Sequence, residues 1–219
     1  MTRCLISSIP CLVDEKQMTR TTMDERTDKT ISSYDANVAE YEASTKDIIP
    51  QALTKVAAML PEGPVLDVGA GYGRDALWLQ QQGFEVICME PSARMRERCK
   101  ERGLKKVIDG RMEHLQALQH PEGGYAGILF VGSLLHVPKK AAPNILKTAA
   151  SLLKEGGIIY LALQHGKGEV MRSGGMLQAE RFFALYERDE ARALLASAGL
   201  HVVWERMDEK WMNFIVQKA

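Results

Sequence analysis

The chain has no excess charge of either sign: 28 Lys and Arg stand against 28 Asp and Glu, for a formal net charge of zero. A dedicated nucleic-acid binder usually carries a basic surplus, so the balance argues against one and leaves room only for a local basic patch. No apolar stretch approaches the roughly 18 residues that suggest a membrane span. Cysteine is scarce, with four in 219 residues. No C-x-x-C or Cys/His spacing joins them, so neither a disulfide framework nor a metal cluster is expected. Cys4, Cys11, Cys88 and Cys99 read as free thiols of a reducing, cytoplasmic compartment. The opening Met1–Val13 imitates a short signal peptide, but it lacks a small-x-small cleavage site and is interrupted by two serines and a proline. Met18 and Met23 leave a later translation start open.

What is present fits one α/β domain with appendages, since a domain takes about 100–200 residues. Residues 1–27 are polar and aperiodic and read as a mobile tail. The domain then spans 28–219. Its first part, 28–62, reads as a helical cap. From Ile31, residues Tyr34, Val38 and Tyr41 share one helical face, and a second stripe runs from Ile48 to Leu60, with Pro50 tolerable in its first turn. Beyond Pro61-Glu-Gly-Pro64, short apolar strands alternate with helices: strands at Val65–Val68, Phe84–Met89, Lys106–Ile108, Tyr125–Val131 and Ile158–Leu163, and helices at Arg74–Gln82, Ser92–Arg102, Pro138–Lys154 and Arg188–Ser197. Such alternation implies right-handed crossovers and a mostly parallel, doubly wound sheet with helices on both faces. Two terminal strands, His201–Arg206 and Trp211–Gln217, are close enough to pair as a hairpin and break the alternation. Residues 164–187 contain an aperiodic, glycine-rich stretch and read as a substrate loop or lid.

The most informative segment is Val65-Leu-Asp-Val-Gly-Ala-Gly-Tyr-Gly-Arg74. Gly69, Gly71 and Gly73 fall where an apolar strand turns into a helix. A turn without Cβ atoms lets a ligand approach backbone amides at a helix N-terminus. Glu90 ends the next strand, where an acid can accept hydrogen bonds from a ribose. A nicotinamide reading needs G-x-G-x-x-G/A. The register starting at Gly71 passes formally, but it would bury Asp67 in mid-strand at a cost of several kcal/mol. If the strand ends at Asp67-Val68, the carboxylate faces the ligand instead. The register of Asp67 decides between them.

With these motifs the chain resembles the class I S-adenosylmethionine-dependent methyltransferases over roughly residues 31–219. The resemblance rests on Leu66-Asp-Val-Gly-Ala-Gly-Tyr-Gly73, Glu90-Pro-Ser92, Asp109-Gly-Arg-Met-Glu113, Leu134-Leu-His136 and Leu153-Lys-Glu-Gly-Gly157. It implies a Rossmann-like seven-stranded sheet with the last strand antiparallel, and S-adenosyl-L-methionine as cofactor. It also implies that Gly69 and Gly71 lie against the methionine moiety and Glu90 binds the ribose. Asp109, Arg111 and Met112 would flank the adenine, and the loop from Val131 to Leu134 would pass near the sulfonium. Ala126 stands where the family often has an acid, and Glu155 where it often has proline. The Asn/Asp-Pro-Pro-Tyr/Phe signature of base amino methylation is absent.

Methyl transfer from a sulfonium is an in-line displacement that needs mainly proximity and exclusion of water. A general base is required only for a protonated acceptor. His136, at the carboxyl end of the fourth strand, is a candidate catalytic residue, or else a histidine that merely bonds backbone. Tyr34 is a second catalytic candidate and Tyr41 a donor contact; both also fit simple core packing. Arg74 can pair with the donor carboxylate or lie in solvent. Asp67 and Gly73 complete the cofactor set. His165, Lys167 and Arg172 in the lid are candidate contacts to an acidic group of the substrate, and Tyr186, with Phe182 and Phe183, a candidate pocket wall. Arg94, Arg98 and Arg102 read as a solvated helix face, and the three tryptophans as packing. No metal ligands are assigned. The expected function is methyl transfer to a small molecule, without membrane and with nucleic acid disfavoured. A cyclase or lyase releasing methylthioadenosine, an RNA or protein methyltransferase and a nucleoside-sensing regulator are the alternatives. The oligomeric state, a homodimer included, stays open.

Overall fold

The computed structural model describes residues 24–49 and 51–219; Cys4, Cys11, Met18, Met23, Pro50 and most of the expected tail lie outside them. Among the described residues three helices come first, α1 (Glu25–Ala36), α2 (Val38–Thr45) and α3 (Gln51–Met59). The helical pattern begins earlier than Ile31, because the Asp24 carboxylate caps α1 by accepting the Arg26 amide. Asn37, at φ −130°, breaks what reads in sequence as one helix.

There follow β1 (Val65–Val68), α4 (Arg74–Gln81), β2 (Val86–Glu90), α5 (Ala93–Glu101), β3 (Val107–Asp109), β4 (Tyr125–Val131), α6 (Ala142–Leu152) and β5 (Leu153–Gln164). A 3-10 turn, Leu134–His136, follows β4. Helix α6 starts later than Pro138, whose carbonyl instead closes a turn with the Ala141 amide. After β5 come β6 (Glu169–Gly174), β7 (Leu177–Ala184), α7 (Arg188–Ser197), β8 (Leu200–Met207) and β9 (Trp211–Lys218).

Seven strands form one sheet in the order β3-β2-β1-β4-β5-β9-β8. The first five run parallel and β9 is antiparallel to both neighbours. Central strands buried on both faces need continuous apolar runs, which Tyr125-Ala-Gly-Ile-Leu-Phe130 supplies. Alternate residues feed two cores. Leu66, Phe130 and Ile159 pack with Leu146 and Leu195 on one face; Val65, Leu129 and Tyr160 pack with Leu53, Leu79 and Cys99 on the other. The chain leaves β1 toward β2 on one side and returns to β4 on the other, so the crevice lies at the carboxyl end of β1.

The stretch expected to be an irregular loop is a second, two-stranded sheet. β6 and β7 pair antiparallel across glycine turns at Gly174 and Gly175. Their alternation was hidden by the glycines. The hairpin is fastened to the helical cap: the Phe182 amide donates to Thr30 Oγ1 at 2.8 Å, Ser33 Oγ donates to the Glu180 carbonyl at 2.7 Å, and Arg26 pairs with Glu169 at 2.9 Å. No helix among the described residues is long and apolar enough to cross a membrane.

Candidate functional site

Two cavities open at the carboxyl end of the sheet. The first, of about 90 Å³, is bounded by Gly69, Gly71, Glu90, Met112 and the cap residues Thr30 and Tyr34. The second, of about 270 Å³, lies under the β6–β7 hairpin. Tyr34, Tyr41, Gly132 and His136 line both, and so form the neck that joins them.

All three glycines of the turn have positive φ, but for different neighbours. A Cβ on Gly73 would stand 2.2 Å from Leu104 Cδ1, and one on Gly69 2.6 Å from Ser133 Cβ. These two let helix α5 and the turn after β4 pack close. A Cβ on Gly71 would meet only Tyr41 Cε1, at 3.8 Å, and would otherwise fill the cavity. Its amide donates to Glu90 Oε2 at 2.8 Å, while the Ser92 amide donates to Oε1 at 2.9 Å. The Glu90 carboxyl is thereby held facing the cavity. Burial pushes its pKa up to about 7, against the pull of those two amides and Arg96.

The neck is aromatic. Tyr72, Tyr41, Tyr34, His136 and Phe183 follow one another edge to face, with ring centroids 5.8, 5.0, 5.4 and 5.0 Å apart. Such a row presents electron-rich faces that suit a cationic sulfur. His136 Nδ1 lies 2.6 Å from the Phe182 carbonyl, which can only accept, so Nδ1 carries the proton. Nε2 then accepts from the Tyr34 hydroxyl at 3.0 Å, and that hydroxyl accepts from Arg181 Nη1 at 3.2 Å. Burial lowers the His136 pKa to about 4, with Arg181 and Arg172 adding repulsion. The imidazole is neutral at pH 7 and both its nitrogens are engaged.

Other expected residues lie elsewhere. Asp67 is a strand residue, paired with Cys88 and Leu129, buried, and lines neither cavity. Its pKa is raised by burial. Gly73, Arg74, Asp109 and Val131 also line neither. Arg74 pairs with Asp75 at 2.8 Å. Asp109 turns outward to Arg96 at 2.9 Å, and Arg111 and Met112 take the wall in its place. Of His165, Lys167 and Arg172, the expected acid contacts, only Arg172 lines the second cavity, as does Phe183 of the expected pocket wall. His165 is exposed and Lys167 pairs with Glu187 at 3.2 Å. Tyr186 is buried, with the Lys139 ammonium 4.7 Å above its ring.

The arginine stripe along α5 is only in part the solvated face its spacing suggests: Arg94 is exposed, but the other two are paired. Arg98 and Arg102 grip Glu42 of α2 at 2.7 and 2.8 Å, which clamps the cap over the glycine turn. Glu42→Ala should lower stability by about 1 kcal/mol, a shift of about 2–4 °C in Tm. It should also speed hydrogen exchange in α2 selectively, which mass spectrometry would read.

Sequence reading missed Arg181, Lys210, Gln164 and Trp211, all lining the second cavity. Arg181 shares one face of β7 with Phe183, in a segment whose sequence reads as an irregular lid, and no local signal marks Lys210.

Residues 39–205 match the family model described as "Methyltransferase domain". The chain is 30% identical over 135 residues to the tRNA 5-carboxymethoxyuridine methyltransferase of Escherichia coli K12, covering 58% of this chain and 50% of that one. It is 29% identical over 102 residues to the sarcosine/dimethylglycine N-methyltransferase of Halorhodospira halochloris, covering 44% and 36%. The chain thus spans half or less of the length of these curated relatives. Among solved structures, DhpI in complex with SAH superimposes with a TM-score of 0.70 at 20% identity, covering 90% of this chain and 99% of that one. The 1,6-didemethyltoxoflavin-N1-methyltransferase of Burkholderia thailandensis does so at 0.66 and 18%, covering 88% and 87%. The chain belongs to the methyltransferase-domain family, within the class I S-adenosylmethionine-dependent superfamily whose strand order it carries.

Proposed function

We propose that this protein transfers the methyl group of S-adenosyl-L-methionine to a small-molecule acceptor by in-line displacement. The observation that carries the reading is the pair of cavities sharing the Tyr34, Tyr41, Gly132 and His136 neck. The residues of the first cavity fit an adenosyl ligand: Gly71 leaves the backbone bare, the Glu90 carboxylate can accept from ribose hydroxyls, and Met112 and Arg111 flank the place for a base. The donor supplies an already activated methyl group. Tyr34 and Tyr41 hold the reacting groups in line, and the cap and hairpin exclude water. His136 fixes the Tyr34 hydroxyl.

Incubation with methyl-labelled donor and a low-molecular-weight metabolite extract should yield S-adenosylhomocysteine and a labelled small product. Release of methylthioadenosine without any acceptor would overturn the reading in favour of a cyclase or lyase. A second reading, methylation of tRNA, has in its favour the name of the Escherichia coli relative; label appearing in tRNA rather than in the extract would select it.

A further inference from the structure

The second cavity carries a charge pattern that its own residues leave unbalanced. Arg172, Arg181 and Lys210 line it, and among the described residues no Asp or Glu does. None of the three forms a salt bridge among the described residues, although Arg181 is only 4% exposed. Arg181 donates instead to the carbonyls of Gly174 and Leu177, at 2.7 and 2.9 Å, and to Tyr34. Arg172 bonds the neutral amide of Gln164 and stacks 4.3 Å over the Phe183 ring. A buried cation such as Arg181 is costly without an acid partner, and a concave site that adds half-buried Arg172 and exposed Lys210 to it attracts an anion. The two arginines also sit at the neck end of the cavity, because Arg181 touches Tyr34 and both act on His136.

Among the described residues, the neck meanwhile lacks a free base. His136 has both nitrogens engaged and a pKa of about 4. Tyr34 and Tyr41 have theirs raised by burial. An acceptor that arrives protonated would find nothing to take its proton, and an ammonium would be repelled. We propose that the acceptor is an oxyanion, a carboxylate or a phosphorus oxyacid, held by Arg172, Arg181 and Lys210 and methylated on oxygen. The anionic oxygen forms the O–CH₃ bond as the S–CH₃ bond breaks, and that bond's electron pair stays on sulfur. A neutral thioether results, with an ester carrying one negative charge fewer than the acceptor (neutral for a carboxylate), and no proton moves.

This inference rests on the methyltransferase reading, so the test first loads the full chain with S-adenosylhomocysteine; failure there sinks that reading itself. The loaded protein is then titrated calorimetrically with benzoate, phenylphosphonate and inorganic phosphate, and with benzamide and benzylamine as neutral and cationic counterparts. At least one anion should bind, and both counterparts should not. A preference for benzoate or for the phosphorus anions identifies which oxyacid the site takes. Arg172→Gln should weaken anion binding about tenfold or more, and Lys210→Gln, at an exposed position, should weaken it several-fold. Both should leave homocysteine-nucleoside affinity unchanged. With the methyl donor present, mass spectrometry should find the methyl ester of the anion that binds. Equal binding of benzamide or benzylamine, no binding of any anion, or binding without ester formation would overturn the proposal.

Discussion

Gly71→Val is expected to abolish S-adenosylhomocysteine binding while leaving a folded protein. The new Cβ meets no backbone and only Tyr41 Cε1, at 3.8 Å, so the scaffold has room for it. Two methyl groups beyond it enter the first cavity, the place proposed for the donor. Forcing extra carbons into a filled site costs about 1–3 kcal/mol when neighbours relax, and here they extend into a turn whose φ of 57° already disfavours any side chain. Affinity should fall by about a hundredfold or more. Backbone strain of about 1–3 kcal/mol should lower Tm by several degrees. Gly73→Val is the contrast. Its Cβ would overlap Leu104 and crowd Cys99 Sγ at 3.0 Å, so it should damage the packing of α5 before it touches a ligand. Calorimetry beside thermal melts separates the two. Unchanged affinity in Gly71→Val would remove the ligand from this turn.

The difference between those glycines also measures what the sequence could disclose. Strand alternation, the glycine turn and the acid ending β2 are set by backbone and burial rules that act over a few residues, and each was legible. The antiparallel last strand was legible too, as a break in the alternation. Side-chain direction was not. Asp67 belongs to a strand whose four residues are all buried, so its carboxylate points into the sheet packing. Asp109 ends its strand facing outward, and its neighbours two and three positions on reach the cavity. Long-range electrostatics was equally hidden. The α5 arginines look solvated until α2 brings Glu42 against them from across the chain. The hairpin escaped because glycine-rich turns mask a short alternation, and with it went Arg181.

Replacing Glu90 with glutamine should weaken donor and product binding about 10–150-fold, the worth of hydrogen bonds to a charged group. The stronger signature is in pH. The carboxyl is buried and its pKa stands near 7 against an ordinary 4.5. In the free protein the folded state therefore holds a proton that the unfolded chain gives up. Stability from this group is full below about pH 4.5 and falls as pH rises toward 7, by about 3 kcal/mol in all. Ligand binding runs the other way. Ribose hydroxyls donate, so they prefer the ionised carboxylate, and affinity should fall by up to about tenfold for each pH unit below 7. Arg96 favours that ionised form and Asp109 opposes it. Glu90→Gln removes the titrating group and should flatten both profiles between pH 5 and about 8. The observation that would refute this role is a wild-type dissociation constant that stays level across that range while the mutant shows the same slope as the parent.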